Sequence, residues 1–257
     1  MKIHQIFTDN ALRNFNYIIE FSSDKVLIID PWEGQDLLNL IKGKKLLAII
    51  NTHEHSDHTR GNAFLKKETG CEVWAHENAN GKITEVDRFL KAKEIIPLEQ
   101  GWEIEVADTP GHTMAHLCFI LKQESKPYAI FTGDTLFNAG VGNCHNGGDP
   151  EVLFETISNI FQKLPDEVIV FPGHEYFNNN LHFTLDREPQ NEKAKEMLGF
   201  IKSINWKSGP FQNTIGGEKQ INTFMRLDNK DIKAKLSLSN ALSKEVFLKL
   251  RELRNNW

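Results

Sequence analysis

Four short apolar runs of this chain are each followed closely by histidine or aspartate, and this recurrence constrains the fold more than any other feature. The runs have the length and content of β-strands, and they end at Ile50, Val106, Phe131 and Phe171. In layered α/β folds, the loops that follow strand ends can meet at one edge of a sheet. The pattern therefore predicts polar side chains from distant parts of the chain held in one fixed array.

The loop after the first run has the most specific pattern, Thr-His-Glu-His-Ser-Asp-His at 52–58. His53 and His55 are two apart, so extended backbone projects both imidazoles to the same side. Asp57 and His58 follow in a tight turn and can serve a neighbouring metal. Imidazole and carboxylate suit zinc, iron, manganese or cobalt without any thiolate. The pattern favours a metal site over a surface loop that is merely rich in histidine.

Three later loops complete a predicted set of seven ligands. They read Thr-Pro-Gly-His-Thr at 109–113, Thr-Gly-Asp-Thr at 132–135 and Pro-Gly-His-Glu at 172–175. Each is weak alone, because such turns are common, but together with the first motif they predict a binuclear site. One metal would be bound by His53, His55 and His112, the second by Asp57, His58 and His174, with Asp134 as the bridge. This set leaves room for a water between the metals.

Hydrophobic patterning divides the chain near residue 175. The first part alternates strand-like and helical patterns, whereas the part from about Asn178 is richer in Lys, Glu, Asn and Leu and reads as mostly helical. We expect an α/β domain over 1–175 and a mostly helical domain over 176–257. The predicted strands are 17–21, 26–29, 46–50, 72–75, 102–106, 116–121, 128–132 and 168–171. The predicted helices are 59–69, 152–164, 189–204 and 243–254.

Composition narrows the class of protein. The chain has 257 residues and a formal net charge of -5, which gives no reason to expect nucleic acid as a partner. No apolar run reaches the roughly 18 residues that a spanning helix needs, and the first ten residues contain no signal-peptide core. Three cysteines without a signal sequence favour a reducing compartment. We expect a soluble, cytoplasmic monomer that binds neither nucleic acid nor membrane.

The ligand motifs resemble those of the metallo-β-lactamase superfamily, and the closest branch resembles glyoxalase II, the hydroxyacylglutathione hydrolases. The resemblance implies an αββα sandwich with a C-terminal helical, substrate-binding domain. It also implies two divalent metal ions, with zinc expected and iron or manganese as alternatives. The implied reaction is hydrolysis of an S-(2-hydroxyacyl)glutathione such as S-D-lactoylglutathione. Asp57 would orient the nucleophile or take its proton, and Asp134 would hold the two metals together.

Segments in the C-terminal part carry the substrate side of the resemblance. Tyr176, within Pro-Gly-His-Glu-Tyr, resembles the tyrosine that contacts glutathione, and the segment 222–226 (Asn-Thr-Phe-Met-Arg) resembles the family's Asn-Pro-Phe-Met-Arg turn. Arg251 and Arg254 resemble the two basic residues that meet the glutathione carboxylate, and their spacing of three places them on one helical face. The alternative interpretation is a solvated helix end with cations near its C-terminus.

One stretch departs from the family pattern. Asn143-Cys144-His145 stands where the family carries a basic residue and then an aromatic. Asn143 and His145 are therefore predicted substrate contacts, and another thiol carrier or acyl group stays open. The rival predictions are a persulfide dioxygenase of the same superfamily with a single iron, and a hydrolase of the same fold that acts on another thioester or a lactone. The complete second ligand set and the arginine pair favour hydrolysis.

Two further polar residues follow or begin strand-like runs. Asp30 could orient a ligand histidine from behind, or could be only a turn residue before Pro31. His116 lies beside apolar residues, which favours a hydrogen-bonded core role over ligation.

Overall fold

The computed structural model describes residues 1–207, 209 and 211–257, and these residues form two six-stranded sheets that pack face to face. Strands are numbered along the chain. The first sheet consists, in spatial order, of β1 (Lys2–Phe7), β2 (Phe15–Glu20), β3 (Lys25–Ile29), β4 (Lys45–Ile50), β5 (Glu72–His76) and β6 (Arg88–Leu90). The second sheet contains β7 (Ile95–Pro97), β8 (Trp102–Asp108), β9 (Leu117–Gln123), β10 (Lys126–Gly133), β13 (Ile169–Pro172) and β14 (Asn213–Thr214). Its spatial order is β14-β13-β10-β9-β8-β7, and β11 (Leu136–Phe137) and β12 (Gly140–Val141) form a separate hairpin.

Helices cover the outer faces of both sheets. Those of the described ranges are α1 (Gly34–Leu40), α2 (Ser56–Thr59), α3 (Asn62–Thr69), α4 (Pro150–Asn159), α5 (Phe177–Arg187), α6 (Glu192–Ile201), α7 (Ile215–Ile221), α8 (Lys230–Lys235) and α9 (Ser243–Asn255). Short 3₁₀ turns lie at Glu77–Ala79, Phe161–Lys163 and Thr223–Met225. In the part of the chain described, no helix combines the length and apolar character that crossing a membrane requires.

Alternating side chains on buried strands build the layers. On β3, Leu27 belongs to the core between the two sheets, whereas Ile28 packs with the cluster under α1 and α3. On β10, Phe131 faces the inner core and Ile130 packs with the cluster under α4 and α9. Both strands are buried on two faces and therefore read as continuous apolar runs. This layer order confirms the expected αββα sandwich with a helical C-terminal part.

The predicted hairpin and buried strands are confirmed, with small shifts at their ends. β2 and β3 pair antiparallel, and each of the other predicted strand segments falls within or beside an observed strand. Strands β1, β6, β7, β11, β12 and β14 and helices α1, α5, α7 and α8 were not predicted. The division near residue 175 stays a prediction, although β14 shows that the later part also contributes an edge strand to the second sheet.

The start of the predicted helix 59–69 is wrong, because α2 ends at Thr59 and α3 begins only at Asn62. They are separated at Gly61, whose N–H donates to Pro31 O at 2.8 Å. A Cβ at this position would lie 2.9 Å from the same oxygen, so only glycine allows the close approach. The helix predicted over 152–164 begins behind an Asp149 cap and becomes a 3₁₀ turn after Asn159.

Strand direction brings the ligand loops to one edge. β10 and β13 are parallel, and β8 runs in the same direction because β9 is antiparallel to both β8 and β10. The carboxyl ends of these three strands therefore lie at the same edge of the second sheet. β3 and β4 are parallel neighbours in the facing sheet and end beside them.

Candidate metal centre and substrate cleft

The first group of predicted ligands contains three histidines. His55 Nδ1 lies 3.0 Å from His53 Nε2 and 3.0 Å from His112 Nε2. His53 and His112 are buried, whereas His55 is partly exposed and forms the open side of the group. Three imidazole nitrogens that converge in this way match the ligand chemistry of a first-row divalent metal.

The second group consists of Asp57, His58 and His174. His58 Nε2 and His174 Nε2 are 3.1 Å apart. Asp57 Oδ2 lies 3.3 Å from the nitrogen of His58 and 3.4 Å from that of His174. These atoms lie within 4.8 Å of one another, so this group is also compact enough for a single ion.

Asp134 lies between the two groups. Its Oδ1 is 3.3 Å from His58 Nε2 and 3.2 Å from His174 Nε2, whereas its Oδ2 is 3.5 Å from His112 Nε2. The turn before it needs Gly133, which has a φ of +46° and whose Cβ, if present, would lie 2.5 Å from a threonine hydroxyl. Each carboxylate oxygen faces a different group, which is the arrangement that a bridging ligand requires.

The outer nitrogen of several imidazoles donates to a backbone carbonyl. The hydrogen bonds run from His55 to Asn146 O at 3.2 Å, from His112 to Asn143 O at 2.6 Å and from His174 to Leu12 O at 2.8 Å. A carbonyl only accepts, so the ring proton must lie on the outer nitrogen. The inner nitrogens therefore carry lone pairs directed into the cluster, as in metal-ligating histidines.

Asp30 supports both groups from behind. Its carboxylate accepts from His58 Nδ1 at 2.9 Å, and from Thr52 through the hydroxyl at 2.6 Å and the backbone N–H at 2.8 Å. Because the Thr52 hydroxyl donates to Asp30, it accepts from His53 Nδ1 at 2.9 Å. Asp30 also has a φ of +50° before Pro31. The sequence left two roles open for Asp30, as a turn residue and as a residue that orients a histidine. The structure shows both, because Asp30 forms the turn, bonds His58 directly and reaches His53 through Thr52.

Two further residues touch the cluster. Asn14 Nδ2 donates to Asp57 Oδ2 at 2.9 Å, a contact that the polar composition of this segment does not reveal. His116 Nε2 accepts from the backbone N–H of Asp134 at 3.2 Å, and its ring stacks on His53 at 4.9 Å between centroids. The hydrogen-bonded core role predicted for His116 is confirmed, and one of its partners is the backbone N–H of Asp134.

Carboxylates and imidazoles oppose the effect of burial in this cluster. Burial would raise the pKa of Asp134, but His174 and His58 hold it well below its ordinary value. Burial would lower the pKa of His58, but Asp134 and Asp30 raise it well above its ordinary value. Asp134 therefore stays ionised, and its negative charge attracts cations to the cluster.

The donor atoms fit metal cations. In the part of the chain that is described, Asp134 Oδ1 is buried without a hydrogen-bond partner. His174 Nε2, 3.2 Å from this oxygen, also offers a lone pair, because the outer nitrogen of that ring donates to Leu12 O. Buried oxygen and nitrogen atoms that face one another in this way need a cation between them.

A cleft of about 290 Å³ opens beside the cluster. Its walls contain all five predicted substrate contacts, which are Asn143, His145, Tyr176, Arg251 and Arg254. The Tyr176 ring stacks on the predicted ligand His174, with centroids 5.0 Å apart and planes 4° apart. This stacking places the cleft directly beside the histidine–aspartate cluster. His145 lies in the cleft wall and is exposed.

Two guanidinium groups give the cleft its charge. Arg251 is 4% exposed, and its Nη1 donates to Val141 O at 2.9 Å and to Gly142 O at 3.0 Å. Arg254 Nη2 donates to Asn180 Oδ1 at 3.0 Å. Burial and the neighbouring Arg254 lower the pKa of Arg251 to about 10, so it remains charged. Within the described ranges neither guanidinium forms an ion pair, and the cleft therefore attracts anions.

Comparison with known proteins agrees with this geometry. Residues 10–174 match the metallo-beta-lactamase superfamily, and residues 175–257 match the family described as hydroxyacylglutathione hydrolase C-terminus. The hydroxyacylglutathione hydrolase of Nitrosococcus oceani is 47% identical, and that of a Polaromonas species 43% identical, each over the full length of both chains. The crystal structure of ETHE1 from Myxococcus xanthus superposes with a TM-score of 0.70 at 21% identity, covering 99% of this chain and 92% of that one. At that identity the superposition shows the shared fold alone.

The two facing sheets and the histidine–aspartate cluster at their edge define a metal-dependent hydrolase of the metallo-β-lactamase fold. The sequence identity to full-length relatives assigns the chain to a narrower family within this class. The chain belongs to the hydroxyacylglutathione hydrolase family.

Proposed function

We propose that this protein hydrolyses the thioester of an S-(2-hydroxyacyl)glutathione, such as S-D-lactoylglutathione, to glutathione and a 2-hydroxy acid. The observation that carries the proposal is the cleft with two guanidinium groups that opens beside the histidine–aspartate cluster. Glutathione is a tripeptide thiol with two carboxylates, so it matches a cationic cleft beside a hydrolytic centre. The names of the full-length relatives support the same substrate.

The cluster would hold two divalent ions, with zinc expected and iron or manganese as alternatives. The first ion is assigned to His53, His55 and His112, the second to Asp57, His58 and His174, and Asp134 to both. Bound there, such ions would supply Lewis-acid chemistry, which would lower the pKa of a water toward neutrality and polarise a carbonyl. The chain itself contributes the fixed orientation of each imidazole through the outer hydrogen bonds described above.

Asp57 and Asp134 are the proposed catalytic carboxylates. Asp57 is half-buried, and Asn14 donates to its Oδ2, which leaves the other oxygen free to orient the attacking water or to accept its proton. Asp134 holds the two halves of the cluster together. The leaving thiolate is a stable anion, so the reaction needs no strong general acid beside it.

Substrate recognition is assigned to the residues of the cleft. Arg254 is half-exposed and can meet a glutathione carboxylate while it keeps its contact with Asn180. Arg251 has Nη1 committed to the backbone, so only its remaining N–H groups are available to substrate. Tyr176 would lie against the thiol carrier beside the metals, and Asn143 and His145 would contact its other end.

The single-iron dioxygenase is the less favoured alternative, because the second ligand group is complete and compact. Turnover of S-D-lactoylglutathione should be compared with that of the same acyl thioester on N-acetylcysteamine, a carrier without carboxylates. Loss of two charged contacts predicts a kcat/KM about 100-fold lower for the short carrier. Equal values for the two carriers would contradict glutathione recognition, and oxygen uptake with glutathione persulfide would contradict hydrolysis.

A further inference from the structure

The segment 138–142, here named the strap, joins the substrate cleft to the metal cluster. It begins with the tight turn at Asn138 and Ala139 between β11 and β12. Ala139 has a φ of +58°, a left-handed conformation that costs a residue with a Cβ on the order of 1 kcal/mol. Such a turn persists only when its surroundings hold it.

Side chains of the C-terminal part bind the strap along its whole length. The hydrogen bonds run from Asn180 Nδ2 to Asn138 O at 2.9 Å, from Ala139 N to Glu218 Oε2 at 2.8 Å, from Asn222 Nδ2 to Gly140 O at 3.1 Å, and from Arg251 Nη1 to Val141 O and Gly142 O. This arrangement gives a role to Asn222, which begins the Asn-Thr-Phe-Met-Arg turn.

Glu218 is the centre of this network. It is completely buried, and its carboxylate accepts from Asn138 Nδ2 at 3.2 Å, Ala139 N at 2.8 Å, Asn213 Nδ2 at 2.5 Å and Asn222 Nδ2 at 3.0 Å. In the described ranges no basic side chain forms an ion pair with it. An ionised carboxylate has about four acceptor positions, so these four N–H donors match it fully. A buried charge held only by amides is costly, which favours a specific role for this residue.

The far end of the strap touches a predicted metal ligand. Asn143 O, directly after the strap, accepts from His112 Nδ1 at 2.6 Å. A Cβ at Gly142 would overlap Asp134 O and lie 2.9 Å from His112 Nδ1, so the strap packs against both residues without spare room. Displacement of the strap would therefore move the carbonyl that sets the direction of the His112 ring.

We propose that Glu218 is a positioning residue: by fixing the strap it holds Asn143 O in place and so orients the His112 imidazole toward the metals. The C-terminal part would then complete the metal centre as well as the substrate cleft. This inference rests on the proposed role of His112 as a ligand of the first metal ion. It assigns Glu218 no contact with substrate or metal.

The test compares Glu218→Gln with the control Glu188→Gln. The glutamine side chain would place an NH₂ group against N–H donors, which removes at least one bond to the strap without changing side-chain size. Glu188 is likewise buried, and it accepts from Arg226, Asn191 and Asn229 in the same part of the chain without touching the strap. Burial raises the pKa of Glu218 to about 7 against the opposing effect of its donors, so measurements at about pH 8 keep it ionised.

Two readouts are needed. In metal-free protein, Glu218→Gln should speed amide hydrogen exchange in peptides spanning 138–143 by about 10-fold. In zinc competition with a chelator, the affinity for one of the two bound zinc ions should fall about 10- to 100-fold. A fall of this size is expected when a histidine ligand loses the hydrogen-bond partner of its outer nitrogen. Glu188→Gln should lower the unfolding temperature but leave strap exchange and both zinc affinities near wild type.

The outcomes separate this inference from the proposed function. A folded Glu218→Gln variant with unchanged strap exchange and zinc binding would overturn the inference, as would equal losses in Glu188→Gln. Wild-type protein that binds no zinc would contradict the proposed function, while the exchange comparison would still test the strap. If Glu218→Gln does not fold, Asn138→Ala removes one strap bond and leaves the carboxylate in place, and the same two readouts apply with smaller changes.

Discussion

The metal cluster and the substrate cleft are adjacent, but they are built in different ways. The cluster consists of short side chains on loops that directly follow strands, and its histidines are each fixed by a second hydrogen bond. The cleft is formed by longer side chains from helix α9 and two loops, and several of them are partly or fully exposed. Rigid placement suits bond cleavage, whereas a half-exposed wall suits reversible binding of the flexible tripeptide proposed as thiol carrier.

Arg251 shows that the two regions are not independent. It lies in the wall of the cleft, yet its Nη1 supports the backbone that leads to the outer partner of His112. Arg254, one helical turn away, contacts only the amide oxygen of Asn180 among its hydrogen-bond partners in the described chain. Substitutions in the cluster should therefore abolish hydrolysis. Substitutions at Arg254 should weaken substrate binding alone, whereas those at Arg251 should weaken binding and also disturb the cluster.

The largest effect is expected for Asp134→Ala. Each oxygen of this carboxylate faces a different ligand group, so its removal should release metal and lower kcat on the order of 1000-fold or more. Metal content and turnover measured on one sample test this, with Asp108→Ala, a partly exposed carboxylate paired with His76, as the control. Near-wild-type turnover in Asp134→Ala would refute the bridging role.

Arg251→Ala should have an intermediate effect on two quantities. Truncation leaves the buried carbonyls of Val141 and Gly142 without their donor, which should cost about 2 kcal/mol of unfolding free energy. KM for a glutathione thioester should rise more than kcat falls. Urea unfolding and steady-state kinetics measure the two effects, and an unchanged KM would remove this residue from the substrate site.

Arg254→Ala should have the smallest effect. Loss of one charged contact should raise KM about 10-fold, with kcat and unfolding free energy close to wild type. Arg254→Lys is the matched control, because it keeps the positive charge and should raise KM less. A fall in kcat with constant KM would show that the cleft and the cluster are not separated as described.

The sequence was sufficient to predict those parts of the molecule in which the type of residue alone determines its structural or chemical role. The buried strands β3 and β10 read as apolar runs because both of their faces are covered, and the ligand loops follow strands directly. Helix α5 was missed because its segment contains three consecutive asparagines, which are poor helix formers. It is held by burial of Phe177, Leu181 and Phe183 in the tertiary structure.

The outer partners of the histidines could not be predicted for a different reason. Leu12, Asn143 and Asn146 act through backbone carbonyls, which every residue carries, so the side chain gives no signal. The same holds for the carbonyl partners of Arg251. Asp30 was ambiguous because its two roles, in the turn and behind the histidines, favour the same residue type.

The central claim is that both ligand groups must be occupied for activity, and one titration tests it directly. Metal-free protein should be titrated with zinc while hydrolysis of S-D-lactoylglutathione and bound zinc are followed together. Activity should rise to its full value only as the second equivalent binds, because the two oxygens of Asp134 face different ligand groups. Full activity with a single tightly bound ion per chain would contradict the account.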